Sequence, residues 1–152
     1  MFIEERTPDD PGLARLLAAA FAELVARYGP RGRSDVLPDA RYLVAVVEGE
    51  AAGCVALQPT PDDPATGEVK RMYVMPEARG RGLARGLLAE LETLARQLGY
   101  RRLRLATGMR QGPATALYES FGFTPTPRYG RYLSESRVVA CYAKPLTGVS
   151  PR

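Results

Sequence analysis

At 152 residues, 45% of them hydrophobic and 25% charged, the chain has the size and composition of one globular domain with its own core, and no apolar run approaches the roughly 18 residues of a membrane span. The sequence contains no histidine, which excludes a histidine-ligated metal site and any histidine-activated nucleophile, and leaves proton transfer to Glu, Asp, Tyr, Cys, Lys or water. The net charge of +4 favours an anionic partner without naming one, and the acids of MFIEERTPDD, where an export signal would carry bases, make a cytoplasmic location the expectation.

In chain order, FIEER reads as a short strand. TPDDPGLARLLAAAFAELVARYG reads as a helix, capped by Thr7 or Asp9, with Pro11 in its first turn and Gly29 as its stop. Leu13, Leu16, Leu17, Ala20, Phe21, Leu24, Val25 and Tyr28 follow the spacing of one buried face. The polar PRGRSDVLPDA is a surface loop. RYLVAVVEGEAAGCVALQP is a hairpin turning at Glu48-Gly49-Glu50, and its first strand, apolar at successive positions, should be covered on both faces. Cys54 and Cys141 lie among apolar residues, as buried strand thiols do, and have no metal-like spacing.

After TPDDPAT, GEVKRMYV is another strand. The helix that follows presents Leu83, Leu87, Leu88, Leu91, Leu94 and Leu98 to the core and ends at Gly99. RRLRLAT alternates charge and leucine as a strand with one wet end or face. GPATALYESFG is a shorter helix with Ala114, Leu117, Tyr118 and Phe121 on one stripe and Gly122 as its stop. RVVACYAKPL closes the chain as a strand. The order β-α-β-β-β-α-β-α-β describes an α/β protein, a mixed sheet with helices on its faces, in one domain over residues 1–152.

Chemistry concentrates where MYVMPEARGRGLARGLLAEL passes from strand to helix. A helix start exposes unpaired amides and the positive end of the dipole. Gly80 and Gly82 let an anion approach the backbone, and Arg79 and Arg81 add charge, so the junction has the parts of a phosphate cradle. Solvated arginines at an ordinary helix start are the competing explanation. The Gly-Lys-Ser/Thr ending of a P-loop is missing, as is the three-glycine dinucleotide fingerprint.

The segment VKRMYVMPEARGRGLARGLL carries Arg79, Gly82 and Ala84 in the pattern Gln/Arg-x-x-Gly-x-Gly/Ala, after a strand ending in Val74-x-Pro76. Some 30 residues on, QGPATALYESFGF places Leu-Tyr on a helix before Gly-Phe. Together these resemble the two signatures of the GNAT superfamily of N-acetyltransferases, in particular its small single-domain bacterial branch. The resemblance implies a sheet whose fourth and fifth strands splay to admit acetyl-CoA as cosubstrate, with no metal. The backbone of Met72, Tyr73 and Val74 would bond the pantetheine amides. The amides of Arg79, Gly80, Arg81, Gly82, Leu83 and Ala84 would hold the pyrophosphate, with Arg79 closing the turn. Gln111, where the family often has Asn, joins the cofactor-binding set. Tyr118 would protonate the departing thiolate, and packing on its apolar stripe is the competing role. Glu68 would take the proton of the attacking amine, and a salt bridge with Lys70 or nearby arginines explains it equally.

The implied activity is acetyl transfer to a primary amine of a small molecule or peptide by direct attack. A CoA-binding sensor without catalysis and a nucleic-acid module are the alternatives. The latter lacks exposed aromatics among its arginines, so no nucleic-acid or membrane partner is expected. The acceptor would be met by Arg31–Asp39, Gln58–Thr66 and Thr126–Ser136. There Asp35, Asp39, Asp62, Asp63 and Glu135 either attract a cation or are simply solvated, and Tyr129 and Tyr132 either line the pocket or pack. RVVACYA could pair across a homodimer, as family members often do.

Overall fold

The computed structural model describes residues 1–29, 36–108, 112–134 and 139–146. Its elements are β1 (Phe2–Arg6), α1 (Pro11–Tyr28), β2 (Arg41–Val47), β3 (Glu50–Pro59), β4 (Thr66–Val74), α2 (Leu83–Gln97), β5 (Arg102–Gly108), α3 (Gly112–Ser120), β6 (Thr124–Thr126) and β7 (Val139–Pro145), with 3-10 turns at Pro76–Ala78 and Gly130–Ser134. The expected order holds with one addition, β6. Its TPT sequence reads as a loop because proline cannot donate to a ladder, yet an edge strand tolerates proline, and β6 pairs only with β7.

The strands form one sheet in the order β1-β2-β3-β4-β5-β7-β6. Neighbours run antiparallel except β4 and β5, which are parallel and joined through α2. The β2–β3 hairpin turns on Glu48 and Gly49, both at positive φ (51° and 81°), the geometry of a two-residue turn that matches strand twist. Over Cys141–Ala143, β7 is paired on both sides, by β5 and β6, so this stretch of the last strand has no free edge for a dimer partner.

Alternation sorts the core. Leu43, Ala45, Val55, Leu57, Val69, Leu103, Leu105 and Tyr142 face α2 and α3. Tyr42, Val44, Val46, Cys54 and Ala56 face α1. This explains the uninterrupted apolar run of β2, whose residues Tyr42 to Val46 are all buried. On the α2 side, Leu83, Leu87, Leu88 and Leu91 are buried as expected. Leu98 is not: it is the helix C-cap and 44% exposed. Gly99 follows at φ 89°, and its amide and that of Tyr100 return to Arg96 O and Ala95 O, closing the helix end.

The first helix departs from expectation twice. Its cap is Asp10, whose carboxylate accepts from the Leu13 amide at 2.9 Å. Pro11 takes the first helical position, so the cap must be the residue before it rather than Thr7 or Asp9. Leu13 and Leu16 are buried, but Phe21 is 37% exposed, and Leu24 and Val25 are only partly covered. Towards its end the helix passes over parting strands: Glu23 pairs with Arg79 beyond β4, and the Tyr28 ring and hydroxyl fill the space a Cβ on Gly108 would need at the end of β5. Among the described residues no helix is long and apolar enough to cross a membrane.

Leu91 is fully buried in the larger core. Leu91→Ala should lower stability by about 2–5 kcal/mol, read from urea denaturation midpoints, because the cavity cannot collapse between α2 and the sheet.

Candidate functional site

The one parallel pair is short. Thr66, Gly67 and Glu68 of β4 pair with Arg102, Leu103 and Arg104 of β5; the strands then part, and Val69–Val74 have no partner on β5. An opening results, with Glu68 and Arg104 at its apex. The cause lies on the other edge of β4. Cys54 stands opposite Tyr73 and Ala56 opposite Lys70, so Arg71 and Met72 together face the single residue Val55. That is a bulge, and bulges bend the strand that carries them. Arg71 adopts φ 57° there, uncommon for a residue with a Cβ, and its carbonyl accepts from the Cys54 thiol at 3.4 Å. The expected cofactor strand, Met72, Tyr73 and Val74, lies just beyond this bend.

At the open end the chain tightens. Ala78 N bonds Met75 O at 2.9 Å, and Arg79 N bonds Pro76 O at 3.3 Å. The Arg79 side chain turns back, donating from Nε to Val74 O at 2.8 Å, pairing with Glu23 at 2.8 Å and lying 5.6 Å from the Tyr73 ring centre. Both the amide and the guanidinium of Arg79 are thus engaged in holding the turn. Gly80 and Gly82 have φ of 81° and 82°, and a Cβ on either would meet nothing within 4 Å. Gly82 caps α2 without a side-chain bond, and Gly86 N to Gly82 O at 3.0 Å is the first bond of the helix. Gly82 and the first residues of α2 thus stand at the positive end of the helix, beside the space left open at Gly80 and Gly82. Gln111 lies outside the described residues, as do Asp35 and Glu135.

Tyr118 and Glu68 come to opposite faces. Tyr118, on α3, is buried in the core on the α2 side, edge-on to Phe123 with ring centres 5.7 Å apart. Its hydroxyl has no hydrogen-bond partner among the described residues, and burial pushes the phenol well above its usual range. Glu68 points to the α1 face with its side chain 8% exposed. Its Oε2 accepts from the Tyr129 hydroxyl at 3.2 Å and lies 3.9 Å from Lys70 Nζ. Lys70 Nζ is also 3.4 Å from the Tyr132 hydroxyl. The Arg104 guanidinium lies 3.8 Å from the centre of the Tyr129 ring and pairs with Asp62 at 3.2 Å. Asp63 bonds Thr66, Ala65 and Arg102. Asp62 and Asp63 are thereby bound to arginines rather than presented to a cation. The alternation of RLRLAT singles out no role for Arg104, whose side chain is only 13% exposed, and no local signal connects it to Tyr129.

A model of the Acetyltransferase (GNAT) family matches residues 10–123. The chain is 42% identical over 95 residues, 62% of its length, to an IAA acetyltransferase of Azospirillum brasilense, and spans 61% of that protein. A Klebsiella pneumoniae protein assigned to the acyl-CoA N-acyltransferases superimposes with a TM-score of 0.81 at 32% identity, covering 95% of this chain and 97% of that one. A GNAT acetyltransferase of Elizabethkingia anophelis, solved with acetyl-CoA bound, shares the fold with a TM-score of 0.72 at 23% identity, covering 95% of this chain and 97% of its own.

Burial raises the Cys54 thiol from 9.0 to about 12, against an opposing pull from the Arg71 charge. Burial also raises Tyr73, Tyr100, Tyr118 and Tyr129. Each group is raised in the folded state, so the stability it contributes is complete below its unfolded value and is lost as pH climbs towards its folded one. Urea midpoints should therefore fall steadily above pH 9, the unfolded value of the thiol. At pH 8, iodoacetamide should label Cys54 only after unfolding, as peptide mass spectrometry would reveal.

Proposed function

The chain belongs to the Acetyltransferase (GNAT) family, and from that premise we propose that it transfers the acetyl group of acetyl-CoA to a primary amine of a small molecule or peptide, by direct attack. The observation that carries this reading is the parting of β4 from β5 after Glu68 and Arg104, together with the open turn at Gly80–Gly82. A slot flanked by an unpaired strand edge suits a chain of amides, and the turn suits the diphosphate at its end. The residues fit the cosubstrate at both points: β4 offers Met72–Val74 without a β5 partner, and the glycines leave vacant the space their side chains would fill.

Acetyl-CoA supplies an activated acetyl thioester. Met72, Tyr73 and Val74 align it along β4, and the amides of Gly80, Arg81, Gly82, Leu83 and Ala84 hold the pyrophosphate. Arg79 acts at one remove, fastening the turn to Val74 O and to Glu23. At the apex Glu68 accepts the proton that the amine sheds as its nitrogen bonds the acetyl carbon. From the opposite face Tyr118 serves the sulfur as the C–S bond breaks. An ordinary thiol titrates near 8.5 and a phenol near 10, and burial raises Tyr118 further, so complete proton transfer runs uphill. The phenol acts by donating a hydrogen bond to the sulfur while charge builds there. Holding amine and thioester in one slot supplies the proximity that direct attack requires.

Calorimetric titration with acetyl-CoA tests the reading, and no binding at millimolar ligand would sink it. Gly82→Ala should weaken that binding by about tenfold, since φ 82° strains a residue with a Cβ and the methyl would project into the cradle. Tyr118→Phe should bind acetyl-CoA as the wild type does while kcat falls by about 10²-fold. Unchanged turnover in a panel of primary amines would remove Tyr118 from the chemistry.

A further inference from the structure

Two contacts to the Glu68 carboxylate fall on the same oxygen. Oε2 takes the Tyr129 hydroxyl at 3.2 Å and faces Lys70 Nζ at 3.9 Å. Oε1 has no partner among the described residues, although the side chain is more than nine-tenths buried. Glu68 and Arg104 are register partners on adjacent strands, the ordinary arrangement for a direct ion pair. No such pair forms. Arg104 instead lays its guanidinium over the Tyr129 ring at 3.8 Å and reaches Asp62 with a terminal nitrogen. Tyr132 holds the same ring edge-on at 5.5 Å.

We propose that Tyr129 is a positioning residue for Glu68: clamped between Arg104 and Tyr132, it occupies Oε2 by hydrogen bond and so presents Oε1 to the incoming amine. The inference rests on Glu68 being the base of the proposed reaction. A carboxylate with both oxygens bound would be a strut, and one with neither bound would rotate. One fixed and one open oxygen is the arrangement a base needs. The groups facing Glu68 are Lys70 on β4, Gln58 opposite it on β3, Arg104 on β5, Cys141 on β7, and Tyr129 and Tyr132 from the segment between β6 and β7. Gln58 Oε1 is engaged with the Leu37 amide.

The test compares wild type, Glu68→Gln and Tyr129→Phe by acetyl-CoA calorimetry and by kcat/KM for an accepted amine across pH 5 to 10. Tyr129→Phe keeps the ring and its stack and removes one donor. Its acetyl-CoA affinity should stay within about twofold of wild type, with kcat/KM about tenfold lower. The loss should fall on kcat, with KM for the amine within about twofold of wild type, because the amine still binds beside a carboxylate that is no longer aimed. A lower thermal midpoint with an unchanged kcat would reduce Tyr129 to packing and overturn the proposal, while an impaired Glu68→Gln left the base assignment standing. A Glu68→Gln variant as active as wild type would overturn both. Should Tyr129→Phe prove insoluble, Arg104→Lys retains the charge but loses the flat face over the ring. Its kcat should fall by less, and an unchanged kcat there is equally fatal.

Discussion

The structure depends on a sheet that stops being a sheet at one place. Three register pairs join β4 to β5, and beyond Glu68 and Arg104 the two backbones separate. Parallel strands joined through a helix would ordinarily zip along their length, since each buried amide left unpaired costs on the order of 1–3 kcal/mol. The bulge at Arg71 and Met72 prevents this by bending β4 while its other edge stays paired to β3. A positive φ at a non-glycine residue costs about 1–3 kcal/mol and persists only where its surroundings enforce it. Here the strand pairing on either side of the bulge and the Cys54 thiol on Arg71 O provide that enforcement. The bend leaves Met72–Val74 without a β5 partner just before the chain enters the turn that carries Gly80 and Gly82.

The two ends of the opening are braced differently. Arg79 fastens the outer end through Val74 O and Glu23, tying the turn to α1. The far side is closed by Tyr28, packed so tightly on Gly108 that no side chain fits there. Since α1 supplies both Glu23 and Tyr28, the helix spans the gap, and its partly exposed apolar residues lie over an opening rather than over a closed floor. The charge also resolves locally. Arg6, Arg41, Arg79, Arg102 and Arg104 each meet a carboxylate. Singly, the exposed pairs among these add little stability.

Periodicity made most of the fold legible, because helical and strand spacing directly encode which face is buried. It failed where the cause was not periodic. β6 hides in TPT because its proline mimics a loop, and only the position of the strand at the edge makes it tolerable. Leu98 keeps the helical spacing, but the helix ends beneath it. In VKRMYV no glycine or asparagine marks the left-handed residue, so the bulge that opens the slot left no trace in the sequence. Within the site, the glycine turn was readable because φ and close approach select glycine locally. The contact of Tyr129 with Glu68 joins residues 61 apart in the chain, and local patterns carry no information about such a meeting.

That meeting also bears on why charged groups sit at the apex at all. Glu68 and Lys70 lie two residues apart on β4, each with a side chain only 8% exposed. A buried ion pair is seldom the most stable choice, and apolar residues of similar volume often serve as well or better. Were the pair a strut, its partners would close to contact distance, as the exposed pairs Arg41–Glu5 at 2.7 Å and Arg102–Asp63 at 2.8 Å do. They stand instead at 3.9 Å, with a tyrosine hydroxyl closer to the carboxylate than the ammonium is and one carboxylate oxygen left over. Burial without closure is poor engineering for stability. It is the arrangement that the proposed base requires, one carboxylate oxygen held and the other open.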